Sequence, residues 1–184
     1  MQRQSGVILI GGMFFLLVMT LIGVALVKNI TLEEKIAGNT REKLRSFQAA
    51  ELSLDVAGRY LARRPDVAAF YDSSGATIPG IYKENASASS QPWMDHAAWS
   101  ADHSLGIADT QHLPEQVRVG ADDLARLHLS NEPKFMIGLV GEQGLDGMDS
   151  SIAQHFFVFR VTSRASGKLQ QIGTTLQSRV IQAL

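Results

Sequence analysis

Cysteine is absent from the 184 residues. That excludes disulfides, cysteine-ligated metal, lipoprotein-type attachment and thiol catalysis, while an oxidising compartment stays open to a domain that folds without staples. Charge is missing from one long stretch. The chain carries 17 Lys or Arg and 18 Asp or Glu, yet none of them lies between Val7 and Val27. That run of 21 residues has Thr20 as its one hydroxyl side chain and glycines at 11, 12 and 23. As a helix it spans about 31 Å, roughly one bilayer core, so the sequence predicts a membrane protein. Beyond Val27 there remain 157 residues, enough for one modest domain with a buried core and too few for a large multidomain enzyme. This part holds 16 basic and 18 acidic residues, a balance that argues against the positive field needed for nonspecific nucleic-acid binding.

Three readings compete for the N-terminus: a cleaved secretory signal, a permanent signal anchor, and a prepilin-type signal that loses only a short polar leader. A secretory apolar region is usually about 7 to 15 residues and is followed by a small-residue cleavage site. Here the apolar run continues without a break into Lys28, Asn29 and Ile30. The polar leader Met1-Gln2-Arg3-Gln4-Ser5-Gly6 ends in Gly directly before the run, which fits prepilin cleavage after Gly6. The basic residues point the other way in topology. Arg3 stands alone upstream, while Lys28, Lys35, Arg41, Lys43 and Arg45 follow the run, and a positive-inside count therefore places the C-terminal part in the cytoplasm.

Residues 28–64 contain no Pro, and Gly38 and Gly58 are their weak points as a helix. Phe47, Ala50, Leu54, Ala57 and Leu61 recur at spacings of 3, 4, 3 and 4, which draws an apolar stripe that needs a partner. Pro65, after Arg63-Arg64, stops the pattern. The expectation is one continuous helix with a greasy half, 7–27, and an amphipathic half, 28–64.

Several segments then carry a family likeness. They are the leader ending in Gly6, the run Val7-Ile8-Leu9-Ile10, Leu17 to Leu26, Thr31-Leu32-Glu33-Glu34, Lys35-Ile36-Ala37-Gly38-Asn39 and Phe47-Gln48-Ala49-Ala50-Glu51. Toward the C-terminus they are Glu132-Pro133-Lys134-Phe135, the run from Phe157 to Ala165, and Thr175-Leu176-Gln177-Ser178. On these residues the chain resembles a PilX-type minor pilin of the type IV pilus. The resemblance implies an α+β lollipop: a long N-terminal helix whose distal half packs on a C-terminal antiparallel sheet in a globular head, residues 65–184.

It also implies processing and assembly. Prepilin peptidase would remove residues 1–6 and methylate the amino group of Val7. The single-pass inner-membrane protein, with its head in the periplasm, would then enter the fimbrium near the tip. There it would prime assembly and support twitching motility and adhesion. The implied partners are minor pilins of the PilV, PilW, PilE and FimU types, the major pilin, a tip adhesin and the inner-membrane platform protein, with no cofactor. Major pilins place Glu at the fifth mature position; counting from Val7, that position is Gly11, which suits a subunit with none above it. Two alternatives stand beside this reading: a type II secretion pseudopilin of the GspK-like tip complex, whose large inserted domain has no room here, and a permanently anchored periplasmic binding module.

Within the head, Pro65 to Gln116 is rich in Ser, Ala, Gly and Asp, with turn signals at Asp72-Ser73-Ser74-Gly75, Pro79-Gly80 and Ser87 to Pro92, and reads as loops with short helices. Trp93 and Trp99 are candidates for covering the core or for anchoring an interface. Residues 121–127 form a candidate short helix with its acidic end N-terminal. Lys134 to Val140 is a strand candidate, and Glu142 to Ser150 a glycine-punctuated turn. Phe157, Phe159 and Val161 face one way while Val158, Arg160 and Thr162 face the other. Ser166-Gly167-Lys168 gives a turn, and Ile172, Thr174, Leu176, Ser178 and Val180 alternate again, predicting a half-buried hairpin that covers the helix stripe.

No enzyme signature emerges. His96, His103, His112, His128 and His155 lie 7, 9, 16 and 27 positions apart, without the paired spacing of a zinc site or HExxH chemistry. Asp102, Asp109, Asp122 and Asp123 form no EF-hand loop, and Asp146-Gly147-Met148-Asp149 lacks its alternating ligands. Gly138, Gly141, Gly144 and Gly147 fit neither a dinucleotide fingerprint nor a P-loop. There is no GxSxG.

Overall fold

The structure, a computed structural model, describes residues 5–63, 70, 78–85, 87–99, 103–143 and 156–183. The leader residues Met1 to Gln4, the turn Asp72-Ser73-Ser74-Gly75, and Pro65, Asp102, His155 and residues 144–150 lie outside the described residues. Helix α1 runs Ser5–Arg63 without interruption at Gly38 or Gly58. The chain divides into two units, Met1–Arg41 and Glu42–Leu184.

The first unit is helix alone among its described residues. Two threonine hydroxyls are turned back onto the helix: Thr20 Oγ1 donates to Leu16 O at 2.7 Å, and Thr31 Oγ1 to Val27 O at 3.0 Å. In an apolar medium this self-satisfaction removes the penalty of the one hydroxyl in the uncharged run.

The second unit packs the distal part of α1 on a mixed sheet. Its strands are β1 (Ile81–Lys83), β2 (Leu105–Gly106), β3 (Lys134–Gln143), β4 (Phe156–Ser166) and β5 (Gly173–Ala183), and a short helix α2 covers Ala121–Arg126. The order is β1-β3-β4-β5, with β2 also on β3. Strands β3, β4 and β5 are antiparallel, with Phe159 opposite both Leu139 and Val180.

Two expectations change here. The sheet is not wholly antiparallel, because β1 runs parallel to β3, pairing Ile81 with Ile137 and Lys83 with Leu139. Gly80, at φ 74°, makes the entry: a Cβ there would meet Phe135 O at 3.0 Å and Leu105 N at 3.1 Å, so glycine is needed for both the backbone angle and the space. The strand expected to end at Val140 continues to Gln143 through a register shift between Leu139 and Gly141. A bulge at this point lets the polar Glu142 and Gln143 remain in the ladder opposite Phe157 and Phe156.

The core lies between α1 and the sheet. Val56, Ala57, Tyr60 and Leu61 from the helix meet Phe135, Ile137, Leu139, Phe159 and Val161 from the strands, closed at the sides by Phe70, Leu105, Ile107, Leu113 and Val117. A smaller cluster joins Ala49, Ala50 and Ala165.

Candidate functional site

Residues 9–27 of α1 form the first candidate surface. Leu9, Ile10, Met13, Phe14, Phe15, Leu16 and Leu17 are all exposed, as are Leu21, Ile22, Leu26 and Val27. Among the described residues one helix is long and apolar enough to cross a membrane, with a mean hydropathy of 2.6 in its best window. Apolar surface on this scale is unfavourable in water and requires lipid or other apolar helices around it. Gly6 and Val7 fall within the first turns of α1. At Gly11 an added Cβ would meet nothing within 4 Å, so within this chain the glycine is not imposed by crowding.

The distal part of α1 meets the sheet along a face that holds Ala50, Ala57 and Leu61 of the expected stripe and adds further small residues beside them. Ser46, Ala49, Ala50, Ser53, Val56, Ala57, Tyr60 and Leu61 are buried. Leu54 is only partly buried, and Phe47, at 39% exposure, lies outside the packed face. Small residues on this face allow close backbone approach, which the sheet uses for hydrogen bonds. Ser163 Oγ donates to Ala50 O at 2.8 Å, and the Ser46 and Thr174 hydroxyls share a bond of 2.7 Å. On the sheet side Phe159 and Val161 are buried and Phe157 is partly buried against the core.

The turn between β4 and β5 is fastened to the same helix. Lys168 N donates to Glu42 Oε2 at 2.6 Å, Arg45 holds Glu42 Oε1 at 2.7 Å, and Lys43 Nζ donates to Gly173 O at 3.0 Å. A Cβ at Gly167 would come within 2.6 Å of Glu42 Oε2 and 3.0 Å of its carbonyl oxygen. Glycine is required there by proximity.

The opposite face of the sheet, expected to be solvated, is covered by the segment carrying Trp93 and Trp99. Both tryptophans are half-buried. Arg160 stacks 5.7 Å from the centroid of Trp93, and Arg164 stacks 5.9 Å from that of Trp99, a cation–π arrangement that shelters both guanidinium groups. Trp99 Nε1 donates to Trp93 O at 3.1 Å, linking the two 3₁₀ turns Pro92–Met94 and Ala97–Trp99. Beneath them Arg160 Nε lies 3.1 Å from Glu84 Oε1, with side chains only 17% and 7% exposed. The contact is one of charge, since neither atom makes an aligned hydrogen bond. Gly138 leaves the space for Glu84 and Tyr82, each of which would stand 2.9 Å from a Cβ at that position. Burial, and then the Glu84 charge, push the Tyr82 hydroxyl well above its usual range against the opposing pull of Arg160. Tyr82 therefore stays protonated at neutral pH.

Of the histidines, His112 pairs with Asp109 at 3.0 Å. Burial works to raise the Asp109 pKa, but hydrogen bonds from the His112 side chain, His112 N and Gln111 N hold it below its ordinary value of 3.8. No group of three or more His, Asp or Glu among the described residues is arranged to hold a metal ion. The signal that the sequence carried for the tryptophan cover is the pairing of Trp93 and Trp99 with two arginines four residues apart on one strand face.

Residues 5–55 match the PilX N-terminal family. The match takes in the uncharged run and the first part of the packed helix, and ends before β1. No curated protein and no solved structure matches the chain.

Proposed function

We propose that this chain is a minor pilin that primes type IV pilus assembly together with other minor pilins and stays near the fibre tip. The observation that carries the reading is the union, in one helix, of an uncharged exposed run inside a PilX N-terminal match and a distal segment packed on a sheet. An uncharged helix exchanges lipid neighbours for neighbouring pilin helices without exposing apolar surface to water, so one segment serves both as a membrane anchor and as a fibre core. A fibre buries the start of each subunit's helix among others, where a carboxylate without a partner is costly. Gly11 avoids that cost and suits a position with no subunit above it. The proposed partners are the PilV, PilW, PilE and FimU types, the major pilin, a tip adhesin and the platform protein, with prepilin peptidase acting before them.

Mass spectrometry of the N-terminus from the native membrane tests the reading. The expected mature chain begins with methylated Val7; an intact Met1 beside an active prepilin peptidase refutes it. Lys28, Lys35 and Arg41 downstream of the run, against Arg3 upstream, favour instead a cytoplasmic C-terminal part. A reporter fused after Leu184 tests this topology separately: periplasmic activity fits the pilin, and activity confined to the cytoplasm fits the basic-residue count.

A further inference from the structure

Lys134 on β3 and Arg164 on β4 are direct cross-strand partners. Two cations set opposite each other on one sheet face repel, and a sheet normally places unlike charges there. Among the described residues neither has a carboxylate partner. Their positions are held by Trp99 instead: Lys134 Nζ donates to its carbonyl oxygen at 3.1 Å, and the Arg164 guanidinium lies 5.9 Å from its ring centroid. All three border an open cleft of about 610 Å³, which His96, Asn131 and Gln170 also line. Glu132 is in the wall too, but its Oε1 accepts the Ala108 N–H at 2.7 Å.

We propose that this cleft binds an acidic sugar. Its carboxylate would sit between Arg164 and Lys134, its ring against the Trp99 indole, and its hydroxyls within reach of Asn131 and Gln170. A planar guanidinium beside an ammonium matches one carboxylate, an indole supplies a rigid apolar wall with a polar edge, and amides both donate to and accept from hydroxyls. The cleft is far roomier than a single tetrahedral anion needs. Nucleic acid is disfavoured because one pair of cations is no track for successive phosphates. The proposal rests on the head alone and is independent of fibre assembly.

The test is calorimetric titration of the full chain, in micelles of a detergent without a sugar headgroup, with D-glucuronate, D-glucose and inorganic phosphate in turn. Saturable glucuronate binding with a Kd on the order of millimolar is expected, with glucose and phosphate at least tenfold weaker. Arg164→Gln weakens glucuronate at least tenfold, and Gln170→Ala, an exposed position in the β4–β5 turn, weakens it several-fold. Absence of saturable glucuronate binding, or phosphate binding as tight as glucuronate, overturns the proposal. Should Arg164→Gln alter thermal unfolding, Gln170→Ala decides, and unchanged affinity in that variant overturns it as well. None of these results bears on whether the mature chain starts at Val7, so the two proposals fail separately.

Discussion

Between Leu9 and Val27, α1 turns Leu, Ile, Phe and Met side chains outward, whereas between Ser46 and Leu61 its packed face is mostly serine and alanine, with Val56, Tyr60 and Leu61 toward the end. The first stretch has large apolar surface and leaves its partner to come from outside the chain. The second has its partner in the sheet, and small side chains let backbone and strands approach until Ser163 reaches Ala50 O at 2.8 Å. Apolar content and packing demand are therefore different properties of one helix. Lipid, or a ring of other helices, accepts any apolar shape, but a closed core accepts only the volume it has.

Two substitutions separate these halves most strongly. Phe135 is fully buried, facing Tyr60 at 6.3 Å between ring centroids. Phe135→Ala should cost the head about 3 to 5 kcal/mol, read by denaturant unfolding of the full chain in micelles, with no change in membrane insertion. Leu16, 66% exposed in the uncharged run, gives the reverse result. Leu16→Arg should make insertion less favourable by about 2.5 to 3.5 kcal/mol in a translocon insertion assay and leave head unfolding unchanged. If either variant moves both readouts, the two halves of α1 are energetically coupled.

The next effect is smaller and lies inside the packed half. Ala50→Leu adds volume where the helix touches the sheet and should destabilise by about 1 to 3 kcal/mol. Phe47→Ala removes a much larger side chain from outside the packed face and should cost less than about 1 kcal/mol. Equal losses in the two variants would place Phe47 in the buried face beside Ala50.

That contrast also shows what the sequence made legible. The extent of α1 and the β4–β5 hairpin follow from absent proline and from alternation, as at Phe157, Phe159 and Val161, because long periodic patterns average over local exceptions. The orientation of the helix follows only in part: Ala50, Ala57 and Leu61 of the stripe are buried and Leu54 packs at the edge of the core, but Phe47 lies outside while Ser46, Ala49 and Ser53 join the contact. Strands β1 and β2, of 3 and 2 residues, are too short to show a period. They exist through tertiary pairing with β3, entered at Gly80. Arg160 and Thr162 read as solvated because alternation assigns faces without saying what covers them. The cover comes from Trp93 and Trp99, more than sixty residues away along the chain.

The smallest expected effect distinguishes charge from packing within the head. Asp109 Oδ1 accepts Gln111 N at 2.7 Å and His112 N at 3.0 Å, and Oδ2 meets His112 Nδ1 at 3.0 Å. All three bonds favour the carboxylate, so its folded pKa is depressed below the ordinary 3.8. A depressed acid pKa means that the unfolded chain binds more protons than the folded one over the interval between the two values. The stabilisation is then fully present above the unfolded value, near pH 4, and is lost as pH falls through the folded value. Asp109→Asn keeps an acceptor for the turn N–H groups and removes the titration. Its unfolding free energy should therefore fall less steeply than wild type as pH drops below about 4, while Phe47→Ala follows the wild-type slope throughout. Parallel curves for Asp109→Asn and wild type would show that the turn is held by shape alone and that this carboxylate contributes no charge-dependent stability.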